Sequence, residues 1–163
     1  MKKELIELKI NGDRQALAIP PHRTLLDLLR EELGLMGSKD GCNVGECGAC
    51  TVLLDGEPVL SCLTLAVRCR GREVLTIEGL AREGMLHPLQ EAFVHEGAAQ
   101  CGYCTPGFIM MAKSILDLNP NPSDEEIRAG LAGNLCRCTG YVKIIKAIKV
   151  AAEKIDLNPQ WRY

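Results

Sequence analysis

Aromatic residues are scarce, 4% of 163 residues with a single Trp, which leaves little to stack on nucleic-acid bases. An excess of one charge is also missing. Nineteen Lys and Arg stand against 21 Asp and Glu, a net charge of -2, too even for a chain that grips nucleic acid or an anionic membrane. No apolar run is long enough to span a membrane; the longest, around "GFIMMA", ends at Lys113 and reads as a buried helix. The opening "MKKELIELKING" alternates charged with apolar residues and has neither an uninterrupted apolar signal core nor a twin-arginine pair, so the expected location is the cytoplasm. With 47% apolar and 25% charged residues the composition is globular, and disorder is excluded.

What the chain has in abundance is cysteine. Nine in a secreted chain would indicate a disulfide framework, but in a reducing compartment metal ligation or redox chemistry is the better reading. Cys42, Cys47, Cys50 and Cys62 form one group and Cys101, Cys104, Cys136 and Cys138 another; Cys69 is left over.

The two groups fall in halves of different pattern. Residues 4 to 10 alternate as a half-buried strand, and Asn11-Gly12 marks a hairpin before "QALAI". In "TLLDLLREELG", Leu25, Leu28, Leu29 and Leu33 share a helical stripe between an N-cap at Thr24 and a stop at Gly34. A second hairpin turns at Asp55-Gly56, and "EVLTIE" at 73 to 78 supplies a further strand. Beyond Gly79 the apolar residues recur at helical spacing through "PLQEAFVHEG", "TPGFIMMAKSILDLN", "SDEEIRAGLAGN" and "YVKIIKAIKVAAEKI", with a capping box at Ser123 and Glu126. The expected fold is α+β: a small sheet grasping one helix over residues 1–79, then a four-helix domain over 80–163 ending in a tail, "LNPQWRY", laid on some surface.

Cys42, Cys47 and Cys50 with distant Cys62 have the C-x4-C-x2-C…C spacing of plant-type 2Fe-2S ferredoxins. Gly41, Gly45 and Gly48 permit the positive φ angles and close approach such a loop needs. A four-cysteine zinc site is the competing reading, although zinc motifs usually present two short C-x2-C pairs. In the second group, Cys101 and Cys104 open a helix of about 14 residues, or roughly 21 Å, and the helix after Ser123 is expected to run back far enough to return "CRC" to their level. A redox dithiol lacks its βαβ context here; a zinc site again competes.

The stretches "GCNVGECGACTV", "QCGYCTPG" and "GNLCRCTGY", in that order, resemble the iron-sulfur subunits of the molybdenum hydroxylase family, which includes xanthine dehydrogenases, carbon monoxide dehydrogenase and 4-hydroxybenzoyl-CoA reductase. The resemblance spans about residues 4 to 155. It implies a β-grasp ferredoxin-like domain and a four-helix domain, each with one 2Fe-2S cluster, in a subunit that relays single electrons between partners. A large subunit would hold a molybdenum-pterin cofactor, a medium subunit FAD, and the whole would be a dimer of heterotrimers. By the same resemblance the second group lies nearest the pterin, where Gln100 and Cys138 would contact it, and the first nearest the flavin. Substrate choice would then belong to the molybdenum subunit.

Other residues read as structural. Cys69 and the Met110-Met111 pair are expected in the core, and His22, His87 and His95 lack ligand spacing. Arg137, between two ligands, reads as a charge that tunes the second site or pairs with a partner. No nucleophile, base and oxyanion arrangement can be assembled, so no catalytic site of its own is expected. A free two-cluster ferredoxin is the alternative function; it calls for a strongly acidic docking face that a charge of -2 does not favour.

Overall fold

Strand β1 (Glu4–Ile10) buries Ile6, Leu8 and Ile10 on one face and leaves Glu7 and Lys9 exposed, as period-two alternation requires. It pairs antiparallel with β2 (Asp13–Ile19) through a turn in which Asn11 and Gly12 adopt φ of 53° and 91°. The computed structural model describes residues 3–158 and Trp161. A second turn of the same kind, Asp55 (φ 51°) and Gly56 (φ 86°), joins β3 (Thr51–Leu54) to β4 (Glu57–Leu60). Strand β5 (Glu73–Leu75) enters the middle, parallel to β1 and antiparallel to β3, giving the order β2-β1-β5-β3-β4.

Strand β5 stops three residues short of the expected end. The Asn11 side chain takes over at that point: its oxygen accepts the Thr76 N–H at 2.8 Å and its amide donates to Thr76 Oγ1 at 3.0 Å. The backbone of Ile77–Gly79 then curls into a 3-10 turn. Thr24 caps helix α1 (Leu25–Asp27) in a reciprocal box with Asp27. The helix continues over Leu28–Glu32 with wider π turns, closed by Leu33 N–H on the Leu28 carbonyl five residues back at 3.2 Å. An apolar stripe reads the same in either turn, so the sequence does not distinguish them. Leu25, Leu28 and Leu29 pack under the sheet, whereas Leu26 faces Cys50 and Cys62.

Four helices follow: α2 (Pro88–His95), α3 (Thr105–Leu118), α4 (Asp124–Gly130) and α5 (Val142–Leu157). Phe93, Phe108, Ile144 and Ile148 form their common core, and Met110 joins it as expected. This core reaches into the sheet. All four residues of β3 are buried; Val52 and Leu54 lie in the core with α1, Leu53 in the helical one. The run "GFIMMA" is not closed by a solvated lysine, because Lys113 is 4% exposed and its ammonium sits 2.6 Å from Asp117.

Helix α4 is shorter than expected, seven residues against fourteen in α3, so it returns about 10 Å of the roughly 21 Å. A Cβ on Gly130 would meet the Ile115 side chain. The remainder of the return is a turn closed by Asn134 N–H on the Leu131 carbonyl at 2.9 Å. Among the described residues no helix is long and apolar enough to cross a membrane. Of the expected tail, Trp161 packs into the helical core and stands edge-on to His87 at 5.3 Å; residues 159, 160, 162 and 163 lie outside the described residues.

His87 is neither at the surface nor a plain packing residue. Its Nδ1 accepts the Leu89 N–H at 3.1 Å while Gln90 accepts the His87 N–H at 2.9 Å, so the imidazole caps α2. That role requires an unprotonated Nδ1. Burial first, and the nearby Lys113 charge second, push its pKa down to about 4. An unfolded histidine titrates near 6.5, so below that pH the unfolded chain binds a proton that the folded chain refuses until about pH 4. The fold therefore keeps its full stability above pH 6.5 and loses up to roughly 3 kcal/mol as pH falls toward 4. The expected result is that His87→Asn, which retains a cap acceptor, flattens the fall in thermal midpoint between pH 7 and 4.5. Parallel curves for the two proteins would contradict this.

Candidate metal centres

The first cysteine loop is shaped by residues that tolerate unusual backbone. Asn43 (φ 55°), Gly45 (φ 83°) and Gly48 (φ 67°) take left-handed conformations that curl the chain between Cys42 and Cys50. Gly41 does not; its need is space, since a Cβ there would stand 2.7 Å from Cys47 Sγ. The β3–β4 hairpin brings Cys62 back, and the Ser61 hydroxyl fixes the return by donating to the Cys50 carbonyl at 2.7 Å.

The sulfurs come two by two. The Cys42 thiol interacts with that of Cys47, and Cys50 with Cys62. In the second group Cys101 and Cys138 have sulfurs 3.6 Å apart, and Cys104 contacts Cys136. Two thiolates on one tetrahedral ion are about 3.8 Å apart for bonds near 2.3 Å. Among the described residues, no three His, Cys, Asp or Glu side chains converge on a single ion. Two neighbouring thiol pairs are the donor set for a binuclear centre, and all-thiolate ligation suits iron and sulfide. The residues therefore fit two [2Fe-2S] groups better than two four-cysteine zinc ions.

Each site has a buried flank and an outer flank. Burial, with the neighbouring sulfur adding to it, pushes Cys62 and Cys104 up to about 12, so these thiols keep their protons until a metal displaces them. At the outer edge of the first site, N–H groups of Val44, Cys47 and Glu46 hold Cys42 down to about 7. Cys101 and Cys138 are exposed, and so is Gln100 beside them. Gln100 does not cap α3, whose N-cap position is Cys104 with no side-chain bond. Arg137 is exposed; Cys69, fully buried in the sheet core, belongs to neither site.

The two ligand loops touch. Leu135 N–H donates to the Cys47 carbonyl at 3.0 Å, and Asn134 Nδ2 donates to the Gly48 carbonyl at 3.0 Å. On the other side the Tyr103 hydroxyl donates to the Asp40 carbonyl. Gly107 in α3 lies against Gly48 so closely that a Cβ would collide with its carbonyl oxygen. Asn134, Tyr103 and Gly107 escaped the reading of the sequence, as did Thr139 and Tyr141 around Cys136. The available signal was a polar or small residue next to a ligand cysteine, which has meaning only once the opposite loop is placed.

Residues 8–73 match the family described as "2Fe-2S iron-sulfur cluster binding domain", and residues 76–149 the "[2Fe-2S] binding domain". Among curated relatives, the nicotinate dehydrogenase small FeS subunit of Eubacterium barkeri is 50% identical over 94% of this chain and 98% of its own. The aldehyde oxidoreductase of Megalodesulfovibrio gigas is 46% identical over 91% of this chain, which there makes up only 17% of a longer protein. The crystal structure of quinoline 2-oxidoreductase from Pseudomonas putida 86 superposes with a TM-score of 0.93 at 46% identity, covering 97% of this chain and 99% of that one. With both cluster domains matched and half of the residues identical over nearly the full length of a small FeS subunit, the chain belongs to the two-cluster iron-sulfur subunits of the molybdenum hydroxylase family.

Proposed function

We propose that this chain relays single electrons between a molybdenum-pterin centre on a large partner subunit and FAD on a medium one, in a cytoplasmic dimer of heterotrimers. One [2Fe-2S] cluster is held by Cys42, Cys47, Cys50 and Cys62 in a domain of residues 1–79, the other by Cys101, Cys104, Cys136 and Cys138 in residues 80–163. The observation that carries the reading is the two-by-two arrangement of these eight sulfurs, exemplified by Cys101 and Cys138 at 3.6 Å. A bound cluster of this type takes up and returns one electron at a time.

The remaining work is the chain's own. Cys62, with Leu26 packed on it, keeps water from the inner flank of the first site, and Cys104 packs half-buried against the helical core. Exposed Cys101, Cys138 and Gln100 offer the second site to a partner; a neutral amide can both donate to and accept from a pterin edge without adding charge. Beside the first site, Val44 and Leu63 are 65% and 59% exposed, an apolar rim suited to a flavin-bearing partner. Between the sites, the Leu135 to Cys47 hydrogen bond gives a short bonded route from Cys136 to the first loop.

Native mass spectrometry of the protein purified from its own cells tests the partnership. This chain is expected with two larger chains, molybdenum and FAD, in a mass corresponding to two copies of each chain. Recovery as a lone chain that shuttles electrons between separate enzymes would contradict it.

A further inference from the structure

The second site contains a side-chain donor aimed at a ligand sulfur. Three groups donate to Cys136 Sγ: the Thr139 hydroxyl at 3.1 Å, the Thr139 N–H at 3.3 Å and the Cys138 N–H at 3.4 Å. The hydroxyl is not free to turn elsewhere. Its oxygen accepts the Tyr141 N–H at 3.3 Å, which leaves its single proton for the sulfur.

Tyr141 is itself held in place. It has φ of 68°, a left-handed conformation costly for a residue with a side chain. Its phenol oxygen accepts the Cys136 N–H at 3.0 Å, and its ring stands edge-on to buried Phe108 at 6.0 Å. In this conformation the backbone N–H and the phenol of one residue both turn back onto the Cys136 loop. Apart from the neighbouring Cys47 thiol, the donors on the first site's Cys42 are backbone amides, and among the described residues no side-chain hydroxyl bonds to a first-site sulfur.

Reduction adds negative charge that spreads onto the ligand sulfurs, so a donor to sulfur favours the reduced form. Resting on the assignment of a cluster to this site, we propose that the Thr139 hydroxyl, oriented by Tyr141, raises the reduction potential of the second cluster and not of the first. Thr139 is then a positioning residue that sets the potential difference between the two centres.

The test is an EPR-monitored redox titration of the assembled complex, with the first cluster as internal reference. Thr139→Val, which keeps shape and removes the hydroxyl, is expected to disfavour reduction of the second cluster roughly tenfold, about 59 mV for one electron. Thr139→Ser retains the hydroxyl and is expected to stay within about twofold of the unaltered protein. A change under about threefold in Thr139→Val, an equal shift of both clusters, or a serine variant that shifts as far as valine overturns the proposal. If Thr139→Val does not carry the second signal, Thr139→Ala takes its place, and the unaltered complex exchanged into D2O must show a hydroxyl deuteron coupled to that signal; its absence also overturns the proposal. A missing second signal in the unaltered complex would instead defeat the cluster assignment.

Discussion

In the reduced protein, Cys104→Ser is expected to abolish one of two distinguishable 2Fe-2S EPR signals and leave the other intact, while Cys47→Ser does the converse. Iron should fall from about four to about two per chain in each case. The effect should be near complete at Cys104, because partial burial at this inner position already pushes its thiol up to about 12. A serine hydroxyl, a far weaker acid, would be harder still to ionise there. Cys69→Ser serves as the control: this cysteine is fully buried against the sheet, away from both groups, so both signals should persist even if stability drops. One substitution that erased both signals would break the assignment of two independent sites.

A large stability effect away from the cysteines is expected for Gly107→Ala. A Cβ there would collide with the Gly48 carbonyl oxygen and stand 3.1 Å from Ala49 Cα. Neither side can give way easily. The Gly48 carbonyl is held by the Thr51 hydroxyl at 2.7 Å and by Asn134 at 3.0 Å. Behind Gly107, Phe108 and Met110 are packed at 0% and 1% exposure. Overpacking of this kind costs about 1–3 kcal/mol, and each kcal/mol lowers the thermal midpoint by about 2–4 °C in a chain of this size. Gly133→Ala, where a Cβ meets nothing within 4 Å, should change it little. Equal midpoints for the two variants would show that the junction is not packed as described.

Much of the fold was legible because short-range rules governed it. Asn11-Gly12 and Asp55-Gly56 announce their turns, since few residue pairs accept two successive positive φ angles. The N-cap at Thr24 and the box at Ser123 satisfy their own helix ends within three residues. Cysteine spacing likewise separated eight cysteines into two groups, and the thiols interact in pairs within those groups. What stayed hidden depends on partners far away in the chain. The early end of β5 is set by Asn11, 65 positions from Thr76, and the loop-to-loop contact by Asn134, 86 positions from Gly48. Helix α4 carries a helical pattern past Gly130, but the chain there leaves the helix for a turn in which the Asn134 N–H bonds the Leu131 carbonyl. His87 looked featureless because its capping partner is its own following backbone and its burial comes partly from Trp161, near the far end of the chain.

Metal and sulfide analysis of anaerobically purified protein tests the central claim most directly. Two binuclear sites require about four iron and about four acid-labile sulfides per chain, with no stoichiometric zinc. Zinc at about one or two per chain without sulfide, or iron at about half the expected amount, would contradict the account.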